Sequence, residues 1–280
     1  NIPQGAIGMS DQKVTLTPET GAPVVIPVAD AAHIIDTNTF ENSVKHNPGF
    51  LEAWTGAVTA GASLVEATQQ SRTFTGALNL VRAVPTENWL DPRNRTILDL
   101  SASSGFLSQP GTPKIKTQIV HGDFERDEYF RGKDVYAFGQ ATFDHNYSQG
   151  LDLQQSYGGG IGWTAIKTSG TTLDLKGSVS YTRQSFQVAA DNENLVGSIF
   201  AENYTHKFNK GIQFIQQVSV MPSWNVSRAW ASAGSASLNV PVIKRLSFTT
   251  GVLDTFLNNP PPGFKKNSFQ FTTGLTYTLK

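Results

Sequence analysis

The sequence of 280 residues contains no cysteine, which excludes a disulfide framework and thiolate chemistry. Charge is also sparse. Asp, Glu, Lys and Arg make up 16% of the chain, against a usual quarter, and the 22 basic and 22 acidic residues cancel. A chain of zero net charge gives no electrostatic reason to expect nucleic acid as a partner. Long apolar runs are missing too. A membrane-spanning helix needs roughly 18 apolar residues, and the longest stretch here, Val24 to Ile35, is broken by Pro27, Asp30 and His33. That excludes a helical membrane protein but not a barrel, in which every second residue is polar. There is no nucleophile elbow, no phosphate loop and no paired-histidine spacing. Catalytic residues, metal ligands and cofactors are therefore expected to be absent. No secretory signal is visible at Asn1, so an exported chain would have lost it or carry it outside this sequence.

What is present is alternation. At the end of the chain Phe269, Phe271, Leu275, Tyr277 and Leu279 alternate with Gln270, Thr272, Gly274, Thr276 and Thr278. A period of two puts the first set on one face of a strand. About twelve residues with one greasy, chargeless face fit a transmembrane strand, which needs about 9–11. The five apolar residues are the lipid-facing candidates. Length and missing charge favour a membrane over a soluble antiparallel sheet, which also alternates. A Lys or Arg at the lipid midplane costs about 2–4 kcal/mol.

From Ala53 onward, strands are expected near 54–64, 70–84, 94–104, 115–130, 135–147, 151–167, 171–186, 195–208, 212–221, 229–240, 245–257 and 267–279. The fold class is all-β: an antiparallel up-and-down β-barrel of about twelve long strands, residues 53–280. Residues 1–52 form a small N-terminal appendage. In it, Lys13 to Thr17 and Pro23 to Pro27 read as short strands, with a turn at Glu19-Thr20-Gly21. Asp36 or Asn38 caps a short helix through about Lys45, ended by Asn47-Pro48-Gly49. On one side of the barrel the connections are tight, at 131–134, 168–170, 209–211 and 241–244. On the other they are longer, at 187–194, 222–228 and 258–266. Residues 148–150 and 85–92 are exceptions. Outer-membrane barrels have short periplasmic turns and long external loops. An even strand count then makes the N-terminal part periplasmic.

The polar faces of the strands collect Asp99, His121, Asp123, Glu125, Asp144, Asp152, Asp174 and Lys176, the lumen-lining candidates. Asp123, Glu125 and Asp127 follow His121 at steps of two and share a face. They form either a selectivity ring or carboxylate–histidine site, or the ordinary salt-bridged lining of a wet lumen, and structural ion pairs are the commoner case. The strand near 195–208 is ambiguous, because Glu202 and Asn203 leave neither face clean. Trp54, Trp163, Trp230, Tyr136, Tyr204 and Tyr277 suit interfacial girdles.

Gly158-Gly159-Gly160-Ile161-Gly162 lies inside a strand, whereas a dinucleotide fingerprint needs a strand-to-helix turn. It reads instead as a place where a barrel wall bends or a side chain passes close. Asp144 and His145 are adjacent on a strand, so they point to opposite faces and cannot act together.

Asp134-Val135-Tyr136-Ala137-Phe138-Gly139-Gln140, Gln149-Gly150-Leu151-Asp152-Leu153 and the Gly158–Trp163 segment resemble the salt-induced outer-membrane proteins, domain of unknown function 481. Residues 258–266 followed by Phe271-Thr272-Thr273-Gly274-Leu275-Thr276-Tyr277 are similar to that family's ending. The similarity runs from about Ala53 to Leu279. It implies a β-barrel in the outer membrane of a Gram-negative bacterium, and it carries over no catalytic or binding residues. One departure is the ending Leu279-Lys280, where such barrels commonly finish on an aromatic.

The expected function is an outer-membrane barrel with a structural, envelope-adaptation or narrow-pore role. Outer-membrane lipid is its partner, and association with further copies is left open. The alternatives are a non-spanning, β-rich self-assembling or binding protein, and a barrel hydrolase using His121 with Asp123 or Glu125.

Overall fold

The computed structural model describes residues 4–31, 33–45, 48–66, 70–87, 90–108, 111, 113–130 and 134–279. Of the expected turn residues, Asn47 and residues 131–133 lie outside these. The chain divides into two compact units, residues 1–47 and 48–280.

The first unit holds a three-stranded antiparallel sheet of β1 (Ala6–Ser10), β2 (Lys13–Thr17) and β3 (Val24–Pro27). Strands β2 and β3 lie where the sequence pattern puts them; β1 is additional. It pairs with β2 through a turn at Asp11 and Gln12, both at positive φ. Hairpin turns of this shape usually announce themselves as Asn-Gly or Asp-Gly, and Asp-Gln does not. Val14 and Leu16 are the buried side chains of this small sheet. A short helical segment follows, Thr37–Thr39 and then Phe40–Lys45. Asp36 caps it, accepting a 2.9 Å hydrogen bond from the Thr39 backbone N–H. The side-chain and backbone bonds from Thr39 hold the Asp36 carboxyl below its usual range.

The second unit is a closed antiparallel barrel of twelve strands. They are β4 (Trp54–Glu66), β5 (Gln70–Val84), β6 (Asn94–Ser108), β7 (Ile115–Tyr129), β8 (Val135–Asn146), β9 (Leu151–Lys167), β10 (Thr171–Phe186), β11 (Glu193–Lys207), β12 (Gln213–Met221), β13 (Ala231–Ile243), β14 (Leu246–Leu257) and β15 (Asn267–Thr278). Each pairs with its neighbours in sequence, and β15 closes on β4 from Leu275↔Ala60 to Thr278↔Ala57. Closure joins the two edge strands, although the seam ladder is four pairs long and does not reach the loop-side parts of β4 and β15. Residues 48–52 belong to this unit rather than to the appendage. The Arg82 guanidinium gathers them, donating to the carbonyls of Pro48 (2.5 Å), Gly49 (3.3 Å) and Glu52 (3.1 Å). One expected turn is displaced. Pro241 lies within β13 beside a bulge, and the reversal falls at Lys244 and Arg245, the latter at φ 66°. A bulge is where a strand tolerates a residue without an N–H.

The register fixes which residues point inward. Arg95 on β6 touches Asp174 on β10, and Lys176 on β10 touches Glu125 on β7. Side chains of strands that are not neighbours meet this way only across the inside of a ring. Even-numbered residues therefore face inward on β8, β9, β10 and β15, and odd-numbered residues on β4, β5, β6 and β7. The ambiguous strand β11 is settled too: Asn203 pairs with inward Asp174, and Glu202 pairs with outward Leu175.

Candidate functional site

The lumen is the site, and its chemistry is concentrated on one wall. On β7 the sequence places His121, Asp123, Glu125 and Asp127 at steps of two, so all four project inward. Glu125 and Asp127 are fully buried. Lys176 reaches Glu125 at 2.5 Å. Arg95 joins two carboxylates, Asp127 at 2.7 Å and Asp174 at 3.1 Å. Asp174 also accepts a 2.6 Å bond from the Thr164 hydroxyl. Arg95 lies over the rings of Tyr136 and Tyr129, at 5.3 and 5.8 Å from their centroids. Lower-charge links extend the network along the strands. Gln140 donates to Asp123 at 2.7 Å and Asn79 to Asp99 at 2.8 Å. His121 Nδ1 sits 2.7 Å from Asp144, which also accepts from Gln154 at 3.2 Å.

Seven of the eight lumen candidates thus belong to one connected inner wall on β6–β10. Asp152 does not. It is exposed at the start of β9, next to a register shift, and only its carbonyl is engaged, by His145 Nδ1 at 2.6 Å. The bulge breaks the simple alternation that put Asp152 inside. His121 is hydrogen-bonded to Asp144 rather than to Asp123 or Glu125, the partners that the hydrolase alternative would use. Asp144 and His145 do point to opposite faces and serve different partners.

Arg95 is the residue that sequence reasoning missed. It stands one step inside the end of β6, within the strand expected near 94–104, and its spacing of four from Asp99 puts both on one face. Tyr136 is a correction of another kind. It is completely buried, not a girdle residue, because its register places it inward against Arg95. Room for its ring comes from Gly162, its cross-strand partner: any side chain there would run into the ring. This is the close approach that the glycine cluster signalled, and the aromatic covers the gap the glycine leaves. Trp163, Trp230 and Tyr277 are exposed.

At the end carrying the longer loops, the mouth is bridged. Gln149, in the β8–β9 turn, donates to the carbonyls of Thr255 (3.1 Å) and Lys266 (2.7 Å) on the opposite rim. Phe264 lies flat against Gly150, whose φ of 69° and missing side chain permit it; a Cβ there would sit 2.9 Å from the ring. Leu151, Phe186 and Leu257 form a small buried cluster beneath. Asn259 adds bonds of 3.1 Å to Gln184 and to Glu193.

On the outer face, Phe269, Phe271, Leu275 and Tyr277 project into the surroundings, 64%, 63%, 51% and 47% exposed. Leu279 lies past the end of β15, half-buried, with its N–H bonded to the Gly56 carbonyl at 2.8 Å.

Among solved structures, the NanC porin is similar at 10% identity and a TM-score of 0.47, over 80% of this chain and 100% of that one. An outer membrane channel from Pseudomonas putida gives 12% identity and a TM-score of 0.45, over 84% and 100%. The translocator domain of the autotransporter NalP from Neisseria meningitidis gives 11% and 0.44, over 86% and 92%. No curated protein sequence matches. One family model does, over residues 58–279, nearly the whole barrel. The chain belongs to the family described as Protein of unknown function, DUF481.

Proposed function

We propose that the chain spans the outer membrane of a Gram-negative bacterium as a barrel whose lumen is obstructed by its own side chains, in a structural or envelope-adapting role. One observation carries this reading: inner side chains join β6 and β7 to β10, and the β8–β9 turn joins the opposite rim. A barrel of this size is only modestly wider than the 8-strand case, whose interior side chains fill, so these bridges leave little room for a solute. Membrane placement is supported by the outward face of β15 and by the outer panel of β5–β7 from Phe74 to Phe124, neither of which carries a charge. Phe269, Phe271, Leu275 and Tyr277 are then lipid-facing, and Trp163, Trp230 and Tyr277 belong to girdles. The connection lengths favour a periplasmic N-terminal unit. A non-enzymatic role accords with His121 bonding Asp144 rather than Asp123 or Glu125.

A narrow, cation-favouring pore is the second reading. It is favoured by the charge of the inner wall, where Asp99, Asp123, Glu125, Asp127, Asp144 and Asp174 face only Arg95 and Lys176 as permanent cations. Conductance of the purified protein in planar bilayers tests both. The obstructed barrel gives insertion without steady porin-sized current. A large steady conductance that also passes neutral sugars would sink it, and a small cation-selective current would replace it with the pore. Full solubility of the folded protein without detergent would remove the membrane altogether.

A further inference from the structure

The outer face of β5, β6 and β7 carries two rows of residues in cross-strand register. One is Arg72, Phe106 and Lys116; the other is Arg82, Thr96 and Arg126. On each strand the two rows are ten residues apart. Ten residues of strand rise roughly 33 Å, or about 25 Å along the axis of a barrel tilted ~40°, which matches the apolar band of such barrels. Between the rows no charged residue faces outward, and Phe74, Leu100, Val120 and Phe124 are exposed. The rows therefore mark the two edges of an apolar panel.

The edges differ in how their lysine and arginine side chains are placed. At the turn end Arg82 is buried against backbone carbonyls, and Arg126 is held by Glu128 at 2.7 Å and by the Thr96 hydroxyl at 2.8 Å. At the loop end Arg72 and Lys116 are exposed, and Lys114 joins them, its ammonium 3.5 Å from the centroid of the Phe106 ring. Among the described residues no carboxylate pairs with Lys114 or Lys116.

The geometry points to a binding site for a phosphate-bearing lipid headgroup on the outer wall, formed by Lys114 and Lys116 around Phe106. The cations stand at headgroup height, and the panel below them offers Phe74 and its neighbours to acyl chains. A lipid is the ligand, rather than free phosphate, because only a lipid uses both surfaces. This inference rests on the membrane-spanning reading and adds a ligand class to it.

The test uses the full chain folded in detergent and a diphosphorylated, multiply acylated disaccharide lipid as probe. Native mass spectrometry counts the retained lipid. Wild type is expected to hold one phosphorylated lipid, and Lys114→Ala/Lys116→Ala to weaken it about 30-fold, taking ~1 kcal/mol for each surface cation. Lys210→Ala/Lys244→Ala, at the other end of the barrel, should change nothing. If the double variant misfolds, Lys116→Ala alone is expected to lose about fivefold. Equal retention by a folded variant, or equal binding of the dephosphorylated lipid, overturns the site. So does displacement by millimolar inorganic phosphate, which would mark a free-phosphate site. Insertion into vesicles is scored separately. A protein that inserts but shows no headgroup preference loses only this site, whereas one that never inserts loses the membrane reading and the site with it.

Discussion

The two halves of the lumen are built differently. The wall of β6–β10 carries the ion pairs: Arg95 with Asp127 and Asp174, Lys176 with Glu125, and His121 with Asp144. The wall of β13–β15 and β4 is lined by small, uncharged groups. There Thr276 bonds Thr59 at 2.7 Å and Thr249 at 2.5 Å, and Thr249 bonds Asn239 at 2.6 Å. Both walls pair many, though not all, of the polar groups that face inward, and at different stakes. A buried charge that loses its partner costs far more than a hydroxyl that loses one. The charged wall is thus expected to fix the shape of the barrel, and the uncharged wall to tolerate change.

Four variants probe that contrast. Lys176→Met leaves Glu125 buried and unpaired, and is expected to cost about 3–5 kcal/mol. Urea unfolding of the protein in lipid vesicles measures it, and a loss below that of any threonine substitution would erase the distinction between the walls. Restoring neutrality with Lys176→Met/Glu125→Gln should recover part of the loss, since a pair removed together is cheaper than one partner removed alone. Gln149→Ala removes two hydrogen bonds across the mouth, with an expected cost of about 1–3 kcal/mol. It also frees the rim, so any residual bilayer current should rise; unchanged current would mean the bridge does not obstruct passage. Thr276→Val, on the uncharged wall, is expected to cost only about 1 kcal/mol, read in the same urea titration. A cost equal to that of Lys176→Met would show that hydroxyl chains, not ion pairs, hold the lumen.

Much of the barrel was legible because its signal is local. On β10, Leu173, Leu175, Val179 and Tyr181 separate from Asp174, Lys176, Ser178, Ser180 and Thr182 by parity alone, and the structure keeps that division. Strand positions follow from turn residues and run length, with β6 extending four residues past its expected end. Legibility failed where one position departs from strict alternation. The shift near Asn146 and Leu151 turned Asp152 out of the lumen. Tyr136, by contrast, keeps the alternation of β8, and its misreading as a girdle residue came from its residue type rather than from its position. At β11 the pattern was undecidable, since Glu202 and Asn203 are both polar. Only pairing with β10 assigned them, Glu202 outward beside Leu175 and Asn203 inward beside Asp174.

By itself the sequence determined the class of object and the faces of most strands, because a period of two is written in neighbouring residues. Which side chains meet was decided only by closure of the ring. Arg95 and Asp174 are 79 residues apart, and Gln149 and Lys266 are 117 apart. No local pattern encodes either contact. They exist because twelve paired strands curve until the first meets the last, and groups on distant strands then share one small interior.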